Sequence, residues 1–301
     1  MYEQLTKVMV QRYGPENIRR FPADQIAALG LPAAEARALA VVGVPVRAGI
    51  YFTAADPDEP VTLGGYAETR GRQVPAEQAD WVRLGTDLGA ELCIASDLSV
   101  QAVDVFDYLP TRRVNAGYGP FLNSLIMLDV HLDLFADPGD QPMVQIYTSL
   151  RGRIVESDRS ALPDDDDWWP LVLEDVRHSN NFPGYAAASF LDESGQKQIV
   201  TARGEAASGY HAEERLPEII EQVGVPRERV NEVYTELKMC LMPGHYCALR
   251  LGAIFPQAAF THSFDYGDTA AARRSFSAPR PTPRSAPARS GCPGSPSGAG
   301  S

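Results

Sequence analysis

The chain has 301 residues, 44% of them hydrophobic and 22% charged, with a formal net charge of −12. That is the composition of a globular protein with room for two ordinary domains. It excludes a strongly basic nucleic-acid-coating protein, and no apolar run approaches the roughly 18–20 residues of a membrane span.

The first residues, MYEQLTKVMVQRYG, lack the apolar stretch of a signal peptide, so the expected location is the cytoplasm. PAAEARALAVVGVP predicts a helix ended by Gly43 and Pro45. GIYFTAA, WVRLGTD, AELCIASD and QAVDVFDYL read as short strands, with Gly85 and Gly89–Ala90 as turn signals. SLIMLDVHLDLFA returns to helical spacing, with Leu125, Leu128, Leu132 and Phe135 three to four apart. After the acidic run Asp164–Asp167, WWPLVLEDV suits a short helix, whose Trp168 and Trp169 are expected to staple it to a core. HSNNFPGY then reads as a loop, with Asn180 and Asn181 as turn residues, and marks a seam near residue 178. Residues 1–178 thus predict an α+β domain with an antiparallel sheet. They carry 15 basic and 27 acidic side chains, a balance that suits a basic partner protein or simple solubility.

Beyond the seam the order is β-β-α-β-α-β. YAAASFLD and KQIVTAR form a hairpin about Glu193-Ser194-Gly195. Residues 211–223 are helical, with Leu216, Ile219, Ile220 and Val223 on one face and Gly224 and Pro226 as the stop. VNEVYTEL is a strand, Cys247, Leu251, Ile254 and Phe255 mark a helix face, and AAFTHSFDY is a further strand. Residues 179–275 hold 9 basic and 12 acidic side chains. Residues 276–301 are dominated by Pro, Ser, Gly, Ala and Arg, and predict a disordered tail.

The cysteines, at 93, 240, 247 and 292, do not suggest a disulfide framework. Cys93 lies in an apolar strand pattern and predicts a core residue, and Cys292 lies in the tail. His211, Cys240 and Cys247 have a different character. They offer one nitrogen and two sulfurs, the donors zinc prefers, and three ligands leave one tetrahedral position for water. Both halves of the set follow strands and open predicted helices, whose N-termini favour thiolate. Glu213, two residues past His211, is placed to move protons rather than to bind metal. An H-x-E motif followed by two cysteines is the arrangement of the zinc-dependent nucleobase deaminases. His245, between the cysteines, is expected in a loop or at a substrate edge. His131 is expected to be structural, and His178 and His262 are ordinary surface or core residues.

Through YHAEERL (210–216), VYTELKMCLMPGHYC (233–247) and FDYGDTAAAR (264–273), residues 179–275 resemble the nucleic acid/nucleotide deaminases of bacterial polymorphic toxin systems, a branch of the cytidine deaminase-like superfamily. The resemblance implies an α/β fold, an α-β-α sandwich. It also implies zinc held by His211, Cys240 and Cys247, and Glu213 as the proton shuttle. Two departures stand out. Met239 replaces the proline that usually precedes the first cysteine. Six residues rather than two separate the cysteines, as in the branch just named, here with Pro243-Gly244 in the loop.

Residues 1–178 resemble the fourth subgroup of the SUKH superfamily of immunity proteins, through IAALGLPAAEARALAVVGVP (26–45), WVRLGTDLGAELCIASDLSVQAVDVFD (81–107), NSLIMLDVHLDLF (123–135) and DRSALPDDDDWWPLVLEDV (158–176). That resemblance implies a domain that binds and neutralises a cognate toxin without catalysis. Two functions follow. One is an immunity-like binding module fused to a hydrolytic deaminase acting on a cytosine- or adenine-type base of a nucleotide, nucleoside or single-stranded nucleic acid. The other is a non-catalytic toxin-neutralising protein whose second module keeps zinc as a structural element. The retained acid at Glu213 separates them, since a purely structural site has no use for it.

Overall fold

The computed structural model describes residues 2–27, 29–181, 184–204, 209–265 and 269–270. The tail predicted over 276–301, with Cys292, lies outside the described residues.

Helices α1 (Tyr2–Tyr13), α2 (Ala23–Ala27) and α3 (Ala33–Val41) open the chain. Strand β1 (Ile18–Arg19) pairs antiparallel with β2 (Val44–Pro45) beside them. The expected stop of α3 is Gly43, at φ +70°, where an added Cβ would strike the Arg19 carbonyl. Six strands then form one antiparallel meander in chain order: β3 (Arg47–Ala48), β4 (Phe52–Ala54), β5 (Val82–Thr86), β6 (Glu91–Ile94), β7 (Val100–Val103) and β8 (Arg112–Asn115). Helix α4 (Leu63–Thr69) bridges β4 and β5, its N-terminus capped by Thr62 Oγ1, which accepts from the Gly65 amide.

Gly85 is not a turn. It lies inside β5, where the register against β6 slips, and a Cβ there would meet the Thr53 carbonyl and the Phe52 ring. The glycine is needed for close approach to the neighbouring strand.

Helix α5 (Tyr118–Ala136) is apolar on nearly every side and is accordingly a central core helix. It packs against α6 (Met143–Ser157). On α5, His131 is buried, its ring nitrogens 2.7 Å from the Met127 carbonyl and 3.1 Å from Ser149 Oγ, a structural role as expected. Cys93 is fully buried in β6.

Helix α7 (Trp168–Asn181) runs past position 178 and includes the HSNN segment read as a loop. The asparagines signalled a turn, but the apolar face beginning at Trp168 carries the helix through them. Trp168 and Trp169 are fully buried at its start, and their indole nitrogens donate to Asp87 Oδ2 (2.7 Å) and Asn115 Oδ1 (2.9 Å).

The second region is a four-stranded sheet in the order β10-β9-β11-β12. Strands β9 (Tyr185–Leu191) and β10 (Lys197–Arg203) form the hairpin, and β11 (Val230–Leu237) pairs antiparallel with β9 and parallel with β12 (Ala259–Phe264). Helix α8 (Leu216–Gln222) precedes β11, and α9 (Cys247–Ile254) makes the crossover from β11 to β12. Leu216, Ile220, Leu251 and Phe255 of the helical segments share one core with Ala186, Ala188, Val230 and Val233 of the sheet.

The two regions meet through buried groups. The β3–β4 and β5–β6 turns lie at the same end of the meander, because Thr53 pairs with Thr86. Between them sits the segment Met242–Tyr246 of the second region, all of it buried. The Gly244 amide donates to the Asp87 carbonyl (2.9 Å), and the Tyr246 hydroxyl to Asp87 Oδ2 (2.8 Å). The Tyr246 ring lies so close over Gly89 that a Cβ there would overlap it. Gly89→Ala is therefore expected to cost about 1–3 kcal/mol, read as a lower urea midpoint for the whole chain. Equal midpoints would mean that the ring has room to move aside.

Candidate metal centre

His211 has extended backbone geometry and opens a single 3₁₀ turn, Ala212–Arg215. Glu214 folds back across that turn, its Oε2 accepting from the His211 amide at 2.8 Å. Cys240 follows β11, and Cys247 is the first residue of α9, so both lie beyond the carboxyl end of a strand in a parallel pair. Open α/β sheets gather ligands at that edge. The Ala248 amide donates to the Cys240 carbonyl (3.1 Å), tying the two ends of the loop. Tyr246, immediately before Cys247, is left-handed at φ +45°, a strained choice for a tyrosine that its hydroxyl bond to Asp87 holds in place.

These elements bring together the residues predicted from sequence. Cys240 Sγ and Cys247 Sγ each lie 3.5 Å from His211 Nδ1. A tetrahedral zinc ion about 2.0–2.1 Å from nitrogen and about 2.3 Å from sulfur requires a nitrogen–sulfur separation of about 3.5 Å. The donor set therefore fits zinc in chemistry and in spacing. The Cys247 thiol and the His211 ring hold Cys240 well below the ordinary thiol range against the effect of burial, whereas burial pushes Cys247 up. Glu213 Oε1 is 3.9 Å from His211 Nδ1 on a side chain only 12% exposed, and burial pushes its carboxyl up.

His245 lies in the loop between the cysteines, as expected, but it is not exposed there. It is fully buried, stacked on His211 with ring centroids 3.8 Å apart and planes within 8°. Both of its nitrogens are engaged, Nδ1 with Glu214 Oε2 at 2.7 Å and Nε2 with Asp175 Oδ2 at 2.8 Å. Burial opposes its charge, but Asp175 and Glu214 outweigh burial and raise its pKa to about 9. The ligating atoms of His211, Glu214, His245 and Cys247 also lie within 4.8 Å of one another. In that alternative grouping, however, His245 and Glu214 are bound to each other. Arg250 Nη1 holds the second Glu214 oxygen at 2.6 Å.

Asp175, on α7, completes the cluster and was not signalled by any motif. Its Oδ1 faces His211 Nε2 at 3.1 Å, and its Oδ2 accepts from the Tyr51 hydroxyl at 2.7 Å. Burial works to raise this carboxyl, yet the charges and hydrogen bonds of His245 and His211 prevail and hold it well below the usual range.

A pocket of about 620 Å³, counting its open mouth, leads to His211, Glu213 and Cys240, and its walls include His178, Tyr185 and Tyr210. His178 is thus a pocket residue rather than an incidental one. His262 is exposed on β12, away from the cluster.

Residues 5–175 match the family model of the SUKH-4 immunity protein. The chain belongs to the SUKH-4 immunity protein family. Residues 181–280 match a second model, described as a Xanthomonas-like deaminase, so a SUKH-4 region and a deaminase-family region are joined in one chain. No curated protein and no solved structure matches the chain. The metal-compatible cluster lies in the deaminase-family region, apart from Asp175 and Tyr51, which the SUKH-4 region contributes.

His245→Ala would leave Asp175 and Glu214 buried without the cation between them. The expected loss is about 3–5 kcal/mol in equilibrium denaturation. A loss near zero would mean that water reaches and solvates both carboxylates.

Proposed function

We propose that the deaminase-family region is a zinc-dependent hydrolytic deaminase, with His211, Cys240 and Cys247 as ligands and Glu213 as the proton-transfer group. The observation that carries this reading is the convergence of one imidazole nitrogen and two thiols at ligand spacing, with a buried carboxyl 3.9 Å away at the base of a pocket. Zinc held there supplies a Lewis acid that lowers the pKa of water toward neutrality. Glu213 accepts a proton from the attacking water and delivers it to the ring nitrogen of the base. It then carries the water's second proton, from the hydroxyl now on the ring carbon, to the departing amine, so that a carbonyl oxygen replaces the exocyclic nitrogen and ammonia leaves. Tyr185 and Tyr210 offer aromatic faces for the base, as expected for recognition of flat rings.

The substrate class is a cytosine- or adenine-type base in a nucleotide, a nucleoside or a single strand. With 9 basic and 12 acidic residues over 179–275, the region lacks the basic stripe that gripping a duplex demands. The acidic SUKH-4 region serves as a binding module for a cognate toxin protein, a role that its family and its charge support. We place the protein in the cytoplasm. Among the described residues no helix is long and apolar enough to cross a membrane.

One observation favours the second reading, a non-catalytic toxin-neutralising protein with a zinc-stabilised module. The segment joining the two cysteines is buried against the SUKH-4 region, as a structural metal loop would be. Glu213 decides between the readings. Purified protein is expected to carry about one zinc per chain. It should release ammonia from a member of a panel of nucleosides, nucleotides and single-stranded oligonucleotides. Glu213→Ala should keep the metal and lose about 10²–10⁴-fold in rate, and Cys240→Ala should lose both. Ammonia release that survives Glu213→Ala sinks the catalytic reading, and a zinc-bearing protein inactive on the whole panel supports the structural one.

A further inference from the structure

Asp175 stands outside the deaminase-family match, which begins at residue 181, and at the last residue of the SUKH-4 match. Of the groups around its carboxylate, the SUKH-4 region supplies the Tyr51 hydroxyl, and the others are histidines of the deaminase-family region. It is buried on a helix whose first turn is fixed in the SUKH-4 core by Trp168 and Trp169, and its carboxylate points out of that core toward the other region's histidines. Desolvating a carboxylate is costly unless hydrogen bonds and opposite charge compensate it. Here three groups do so, namely His211 Nε2 on Oδ1 and the His245 Nε2 and Tyr51 hydroxyl on Oδ2.

The Oδ1 contact has a specific chemical consequence. A histidine that coordinates through Nδ1 must carry its proton on Nε2, and an acceptor at Nε2 fixes both that tautomer and the plane of the ring. The atom of His211 facing the two thiols is Nδ1, and the atom facing Asp175 is Nε2. Ser179 Oγ, one turn further along the same helix, lies 3.4 Å from the same nitrogen. His245 backs the opposite side of the arrangement by stacking on the His211 ring while held by the same carboxylate.

We propose that Asp175 is a positioning residue of the metal centre, contributed by the SUKH-4 region, which fixes the His211 ring with Nδ1 aimed at Cys240 and Cys247. The metal centre is then a joint product of the two regions, and α7 is the element that joins them. This inference rests on the zinc reading above.

The test uses the full-length chain and zinc itself, titrated against a chromophoric chelator. Asp175→Ala is expected to weaken zinc affinity by about 10–100-fold. Asp175→Asn, which keeps a carbonyl acceptor without the charge, is expected to fall between that variant and the parent protein. Tyr51→Phe removes a hydrogen bond from the same carboxylate but leaves Oδ1 to His211. It is expected to lower the unfolding midpoint while keeping the parent's zinc affinity, which separates ring orientation from general weakening of the interface. If Asp175→Ala does not fold, long-range proton–nitrogen spectra of the parent protein decide the matter. His211 should show zinc on Nδ1 and a slowly exchanging proton on Nε2. Parent-like zinc affinity in folded Asp175→Ala, or zinc on Nε2, overturns the proposal while leaving the zinc site in place. A parent chain that binds no zinc overturns both.

Discussion

Three ionisable side chains, Asp175, His245 and Glu214, are buried in a row between the two regions, and the geometry of the site depends on their remaining together. Taken singly, each would carry a charge out of water at a cost of several kcal/mol. Aligned, the imidazolium is shared by two carboxylates, and each carboxylate finds further donors, Tyr51 and His211 for one, Arg250 and the His211 amide for the other. Such a network tolerates little displacement, because moving any member leaves another buried and unpaired. His211 touches the row at two points, through its backbone amide and its Nε2. The nitrogen that faces the cysteines is therefore held from both ends.

The departures from the usual deaminase pattern have physical explanations in this setting. The interval from Cys240 to Cys247 is long enough to carry Met242–Tyr246 into the gap between the β3–β4 and β5–β6 turns, where Asp87 takes the Gly244 amide on its carbonyl and the Tyr246 hydroxyl on its carboxylate. A two-residue spacer would not reach. Gly244 adopts φ +80°, and an added Cβ there would come to 3.0 Å from the Tyr51 ring and 3.1 Å from the Ile50 carbonyl, so the Pro243-Gly244 pair supplies both the bend and the close approach. Met239, where a proline is usual, packs its side chain against the core of the deaminase-family region. The turn that proline would impose by its ring is held here by packing and by the Ala248–Cys240 backbone bond.

The parts of this arrangement that were legible in the sequence are those written in local periodicity or in short-range spacing. VNEVYTEL is β11 residue for residue, and Cys247, Leu251 and Phe255 gave the buried face of α9. The His-x-Glu and cysteine pattern gave the cluster because donor chemistry is residue-specific. Asp175 was not legible, since an acid in WWPLVLEDV reads as an ordinary solvated helix position until the fold brings His211 and His245 to it. Asp87 and Tyr51 were hidden for the same reason, being 159 and 124 residues from the partners they bind. The loop position of His245 was legible, but its burial was not, because a polar residue between a Pro-Gly bend and a cysteine carries no sign of the carboxylates that fold around it. Only the opposing carboxylates make its burial affordable.

The unequal cores of the two regions explain why the seam is built this way. The SUKH-4 region has an extensive core formed by the meander, α5, α6 and α7, with a smaller cluster that includes Leu63 and Ala67 of α4. Among the described residues the deaminase-family region has a much smaller core, formed by four strands and two short helices. A core of that size supplies only a few kcal/mol against chain entropy, and small domains generally need a metal, a crosslink or a partner to stay folded. This region has both a metal-compatible cluster and a partner, and they converge on one segment. The Met242–Tyr246 loop is buried by the SUKH-4 region at one end of its bonds and delivers Cys247 to His211 at the other. Binding of a metal at the cluster and docking of the two regions consequently stabilise the same loop conformation. By linkage, each of the two must strengthen the other.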